Sequence, residues 1–180
     1  MRVRRIHKQI IIDSAMSGFS KPRQLLGFAS CFALSYLTAA VGSIASVQAR
    51  TFYADLTQPS WAPPGWLFGP VWTLLYLMMA VSAWLVWRRN GVSTARPGLG
   101  LFVIQLVINA LWSWLFFAWH LGALAFVDIL ILLALILLTM FYFWPHSRLA
   151  VYLLIPYFCW VCFAAFLNFS VWQLNPGLLG

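Results

Sequence analysis

The sequence predicts an all-α membrane protein, a five-transmembrane-helix bundle with a long first loop capping its outer half. Three observations carry this. The 180-residue chain is 63% hydrophobic and only 8% charged, whereas about a quarter of residues are charged in soluble domains; its mean hydropathy is +0.88. Five apolar runs reach the length of about 20 residues that crosses a hydrocarbon core of roughly 30 Å. Ten of the eleven basic residues fall on one side of the resulting topology. A membrane β-barrel would instead show segments of about ten residues with alternating polarity, and the sequence contains none.

Residues 1–24 read as a basic, mobile tail containing Arg2, Arg4, Arg5, Lys8, Lys21 and Arg23. The first span runs from Leu25 to Val47, and its small residues Ala39, Ala40, Gly42, Ser43 and Ala45 allow close helix contact. Val47-Gln48-Ala49 resembles a signal-peptide cleavage site. The apolar run before it exceeds the usual h-region of about 7 to 15 residues, so a retained span is expected. The second span is Phe68 to Trp87, the third Gly98 to Ala118, the fourth Leu121 to Phe143 and the fifth Leu149 to Val171. Residues 25–173 therefore form one membrane domain, followed by a short tail at 174–180.

Arg88, Arg89 and Arg96 in the second loop and Arg148 in the fourth join the basic tail on one side, against Arg50 alone on the other. Because basic residues accumulate in cytoplasmic loops, the N-terminus is expected inside and the C-terminus outside. The net charge of +8 is explained as a topology signal and a contact for anionic lipid, with no nucleic-acid partner implied.

No set of residues suited to hydrolysis, phosphoryl transfer or metal binding is legible. His7, His120 and His146 lie in separate segments, and the acids are only Asp13, Asp55 and Asp128. Cys159 and Cys162 form a CxxC pair, but no cation accompanies them at that depth, so they and Cys31 read as small apolar core residues. No catalytic residue and no metal site are assigned.

The informative residues are the polar and aromatic ones inside the spans. A short turn at Trp119 and His120 makes the third and fourth spans an antiparallel hairpin. Asn109 and Asp128 then lie at equal depth, about 13 Å from the turn at 1.5 Å per residue, and are expected to form a polar clasp. Three stripes at helical spacing follow: Gln105, Asn109, Trp112 and Phe116; Tyr157, Trp160, Ala164 and Asn168; and Trp72, Tyr76 and Ala80. Their aromatic members converge in the outer half of the membrane. Above them lies a first loop of about twenty residues, far longer than the usual four to six. Pro59, Pro63 and Pro64 stiffen this loop into an extended lid carrying Trp61 and Trp66.

These motifs resemble the translocator protein family, also called the TspO, tryptophan-rich sensory protein or peripheral-type benzodiazepine receptor family. The matching segments are PSWAPPGWLFGPVWTLLY at 59–76, Asn109 with Trp112 and Phe116-Phe117, LAFVD at 124–128 and PYFCWVCFAAFLNFSVW at 156–172. The resemblance implies a homodimer in a bacterial cell membrane. It also implies a pocket under the first loop that binds protoporphyrin IX, haem or other flat aromatic small molecules, with no bound cofactor. Carried over to this chain, the pocket comprises Trp61, Trp72, Asn109, Trp112, Phe116, Trp160 and Ala164; Tyr76 joins it from the stripes and Phe52 from the loop. The expected function is sensing, sequestering or aiding disposal of porphyrins, with transport or light-dependent porphyrin breakdown as alternatives. Three positions depart from the family pattern. Phe52 replaces an indole linked to porphyrin breakdown, Leu124 replaces another indole, and Phe169 with Gln173 lacks the sterol-recognition pattern.

Overall fold

The computed structural model describes residues 19–47 and 49–180. His7, Asp13, Gln48 and the basic residues of the chain's first 18 positions lie outside the described residues. The described chain forms α1 (Lys21–Ala45), the short α2 (Ala49–Asp55), α3 (Gly65–Arg89), α4 (Gly91–Ala118), α5 (Gly122–Phe143), α6 (Arg148–Leu174) and the short α7 (Pro176–Leu179). The five long helices are apolar enough to cross a membrane, which is the predicted all-α bundle.

Four expectations are corrected at the boundaries. Residues 21–24 are not tail but the first turn of α1, where Pro22 sits at a position that needs no backbone donor. The second loop collapses almost to nothing. The backbone leaves helical geometry at Gly91 with φ 67 and ψ −179, a region essentially reserved for glycine, so the chain turns there and α4 runs straight through Arg96 and Pro97. The first half of the first loop, predicted without an element of its own, forms α2; the proline segment follows it, with the Ala62 N–H donating to Pro59 O at 2.9 Å. Finally, the short tail at 174–180 carries an element of its own: Asn175 ends α6, and α7 folds back to bury Leu179 completely.

The interior is filled by Met79, Ala83 and Val86 of α3, Phe102 and Leu106 of α4, Ile129, Leu132 and Ile136 of α5, and Leu154, Tyr157 and Val161 of α6. Lipid is as apolar as these side chains, so helices associate through close packing and hydrogen bonds rather than hydrophobic burial. Helix α1 shows this most clearly. Its buried residues are Gly27, Ser35, Gly42 and Ala45, all small. A Cβ on Gly27 would run into the Trp87 ring, and one on Gly42 would lie 3.2 Å from Ser113 Oγ. Cys159, expected in the core, instead lies exposed, because at two residues from Tyr157 it falls on the face of α6 opposite the buried Leu154, Tyr157 and Val161.

The two ends of the bundle differ. At one end guanidinium groups rest on aromatic faces: Arg23 on Phe19 at 4.1 Å, Arg88 on Trp84 at 4.6 Å and Arg148 on Trp144 at 5.4 Å. Such pairs suit a membrane interface, where cations reach water and rings stay half-buried. The opposite end carries α2, the proline segment, the α4–α5 turn and α7, and it is there that the candidate site lies.

Candidate functional site: an aromatic cavity under the first loop

The α4–α5 turn shapes one wall. The last turn of α4, Trp114–Ala118, is a π-helix closed by the Trp119 N–H donating to Trp114 O at 2.9 Å. Such widened turns are rare and recur at functional sites. Here the turn lets the consecutive rings of Phe116 and Phe117 both line a cavity. Trp112, one turn earlier, stacks on Phe116 with centroids 5.3 Å apart and planes 12° apart. Its Nε1 donates to Asn168 Oδ1 at 3.0 Å, and Asn168 Nδ2 donates to Gly122 O at 3.1 Å. One asparagine on α6 thus fixes both the indole and the start of α5.

The cavity has a volume of about 620 Å³, within the range of roughly 300 to 1,000 Å³ typical of small-molecule sites. Of the sequence-predicted residues, Trp72, Tyr76, Asn109, Trp112, Phe116, Trp160 and Ala164 line it together. Two do not. Phe52 lies behind the wall, stacked on His120 at 4.1 Å and set edge-on to Phe116 at 6.4 Å. Trp61 lies outside the lining, half exposed, with its ring edge-on to Phe163 at 5.9 Å. Phe52 faces away because the α2 turn directs Tyr53 inward instead; Tyr53 lines the cavity and is buried. Its hydroxyl points to Pro63 O at 3.5 Å, and burial pushes its phenol pKa above the ordinary value, so it is a neutral group of the lid.

The expected Asn109–Asp128 clasp does not form. Asn109 Oδ1 accepts from the Tyr76 hydroxyl, while its Nδ2 donates to the Tyr157 hydroxyl at 3.2 Å. Equal depth along one hairpin is not contact: the asparagine faces α3 and α6 across the bundle, where two phenols outcompete a carboxylate on its neighbour. Asp128 is buried, and its Oδ2 has no partner among the described residues. Tyr76 and Asn109 form the floor of the site, backed by the fully buried Tyr157, and Trp72 packs on both tyrosines, 5.6 Å from Tyr76 and 6.2 Å from Tyr157.

Sequence reasoning missed the contribution of α1. Tyr36, Ala39, Ala40, Gly42 and Ser43 all line the cavity, so the small residues leave a void rather than only permitting close approach. Tyr36 marks this face, since its hydroxyl donates to Thr73 O on α3 at 3.1 Å. Its aromatic tip followed by a small residue every three or four positions was the available signal. Among the described residues, no lining side chain is charged, and the polar ones are hydroxyls, amides and indoles. The chemistry available is therefore stacking and neutral hydrogen bonding.

Residues 29–173 match the model of the TspO/MBR family. The tryptophan-rich protein TspO of Chlorobaculum tepidum is 42% identical over 159 residues, covering 86% of this chain and 99% of that relative. Protein CrtK of Rhodobacter capsulatus is 36% identical over 154 residues, covering 83% of this chain and 93% of that protein. The human translocator protein is 39% identical over 131 residues, covering 72% of this chain and 78% of its own. With the five-helix bundle, the tryptophan-rich segment under α2 and these similarities all in agreement, the chain belongs to the TspO/MBR family of integral membrane proteins.

Proposed function

We propose that this protein binds a flat tetrapyrrole, protoporphyrin IX or haem, under its first loop, and acts as a receptor or regulator that senses, sequesters or helps dispose of porphyrins. The observation that carries this reading is a cavity of about 620 Å³ walled by Trp72, Trp112, Phe116 and Trp160 and free of charged lining among the described residues. A porphyrin macrocycle offers two broad faces to indole and phenyl rings, which prefer offset-stacked or edge-on contact. Its ionised propionates have no cation to meet inside, so the macrocycle enters with that edge toward the mouth.

The test is a titration of the purified protein with protoporphyrin IX, following tryptophan fluorescence in the dark and porphyrin absorbance under light. Saturable quenching in the dark is expected; its absence overturns the binding reading. Loss of absorbance only in light, with a new product, would replace the receptor reading with an enzymatic one. Transport, suggested by the name of the human relative, requires porphyrin flux into sealed vesicles carrying the protein.

In the same reading the arginine end faces the cytoplasm, supported by the cluster of Arg23, Arg88, Arg89 and Arg148 at that end. An introduced cysteine at Ser60, exposed in the first loop, is expected to react with a membrane-impermeant maleimide on intact cells. One at His146 is expected to react only after permeabilisation. The reverse pattern would invert the orientation.

A further inference from the structure

The first loop covers the cavity with Ala49, Tyr53 and Gly65, and the proline segment between Tyr53 and Gly65 is tied to a distant part of the chain. The Thr57 N–H donates to Asn175 Oδ1 at 2.8 Å, and Asn175 Nδ2 donates back to Thr57 O at 2.9 Å. One side-chain amide thereby satisfies both backbone groups of a loop residue, as a neighbouring strand would. The same Nδ2 also donates to Val171 O at 2.7 Å, which anchors the amide to the last turn of α6. Asn175 is 7% exposed, so water competes poorly for these bonds.

The backbone around Asn175 reinforces the tie. Asn175 O accepts from the Leu178 and Leu179 N–H groups at 3.1 and 3.0 Å, which folds residues 175–180 into a hook. Leu179 is buried in a cluster with Leu56, Phe116, Leu167 and Val171. Leu56 precedes Thr57, and Phe116, Leu167 and Val171 line the cavity. Trp172 Nε1 closes the hook by donating to Gly180 O at 2.9 Å. Gly122 leaves room for it: a Cβ there would lie 2.8 Å from the Trp172 ring and 3.0 Å from Leu179 Cβ.

We propose that Asn175 is a latch that holds the lid closed over the aromatic cavity, so that breaking its pair with Thr57 sets the rate at which the cavity exchanges its contents. Its importance for porphyrin exchange rests on the function proposed above, but the latch itself does not. No other side chain among the described residues bonds the backbone of Thr57; the hydrogen bonds of the Tyr53 hydroxyl to Pro63 O and of Gln58 Nε2 to Tyr53 O stay within the loop, whereas Asn175 ties the loop to α6. The latch is a positioning residue at the junction of lid and bundle, outside the cavity lining.

The experiment uses the full chain in lipid nanodiscs without ligand. Amide hydrogen exchange is read at Thr57, together with the rate at which a water-soluble maleimide labels a cysteine placed in the cavity by Ser113→Cys. In Asn175→Ala, Thr57 exchange and labelling of the cavity thiol are each expected to accelerate at least tenfold, with thermal unfolding still cooperative. Leu179→Ala, which releases the hook while keeping the amide pair, is expected to accelerate labelling by less and serves if Asn175→Ala does not fold. Unchanged labelling in a folded Asn175→Ala protein overturns the latch, and so does unchanged Thr57 exchange. Protoporphyrin IX is then added. Faster association and dissociation in Asn175→Ala, with a smaller change in Kd, is the expected result. A wild type that binds no porphyrin would overturn the proposed function and leave the two ligand-free readouts to decide the latch.

Discussion

Asn109→Leu is expected to destabilise the bundle by about 2–4 kcal/mol, although leucine is the residue most compatible with lipid at that depth. Interhelical hydrogen bonds in membranes contribute only about 0.6 kcal/mol each on average, so two lost bonds alone predict little more than about 1 kcal/mol. The larger part comes from what the substitution leaves behind. A buried polar group without a partner costs about 1–3 kcal/mol, and the two phenols differ in this respect. Tyr76 lines the cavity and keeps access to whatever fills it, whereas Tyr157 is fully buried and does not reach the cavity. The penalty therefore falls mainly on Tyr157.

This asymmetry makes the prediction specific. Adding Tyr157→Phe to Asn109→Leu is expected to recover stability, because it removes the orphaned hydroxyl, while Tyr157→Phe alone leaves Asn109 Nδ2 unpaired and is destabilising. A double-mutant cycle, measured by reversible denaturation in mixed micelles, reads the coupling directly. Simple additivity of the two losses would refute the three-residue network. The consequence for the site is local: Trp72 packs on both Tyr76 and Tyr157, so loosening the floor loosens one wall.

The five spans were legible because crossing a bilayer demands a length of apolar chain that few other structures need. The stripes were legible for a related reason. Trp112 and Phe116, or Trp160 and Ala164, share a helical face whatever lies opposite them. What spacing within one helix does not give is the partner. Depth along a hairpin pairs Asn109 with Asp128, but its bonds run to Tyr76 and Tyr157 on two other helices, a choice set by how the helices rotate about their axes. The α3–α4 connection hides its helix for the opposite reason. Arg88 to Pro97 has the polarity and the Gly and Pro of a loop, yet Gly91 alone makes the turn. The small residues of α1 were ambiguous in principle, since a helix contact and a cavity wall both require the absence of side-chain volume.

The small residues that wall the cavity decide how it is best probed. Removing an aromatic wall residue confuses loss of stacking with loss of structure, because Trp112 also holds Asn168 and stacks on Phe116. Filling the void avoids this. Ala164 lies one turn from Trp160 on α6 and lines the cavity, so Ala164→Trp places an indole in space that a ligand would occupy. The bundle is expected to remain folded with unchanged or higher thermal stability, since filling a cavity commonly stabilises a protein. Protoporphyrin IX affinity is expected to fall at least 100-fold, about 2.7 kcal/mol, because the macrocycle is rigid and a displaced ring has nowhere to fold away. The porphyrin's own absorbance shift is the appropriate readout, as the variant adds a fluorescent indole. Leu137→Trp, at a lipid-facing position of α5 that is 51% exposed, controls for the added ring and should bind as the wild type does. A folded Ala164→Trp protein that also binds as the wild type does would place the porphyrin site elsewhere on the molecule. Loss of affinity in Ala164→Trp alone would tie binding to the space between α1, α3, α4 and α6 and not to the membrane-facing aromatic surface.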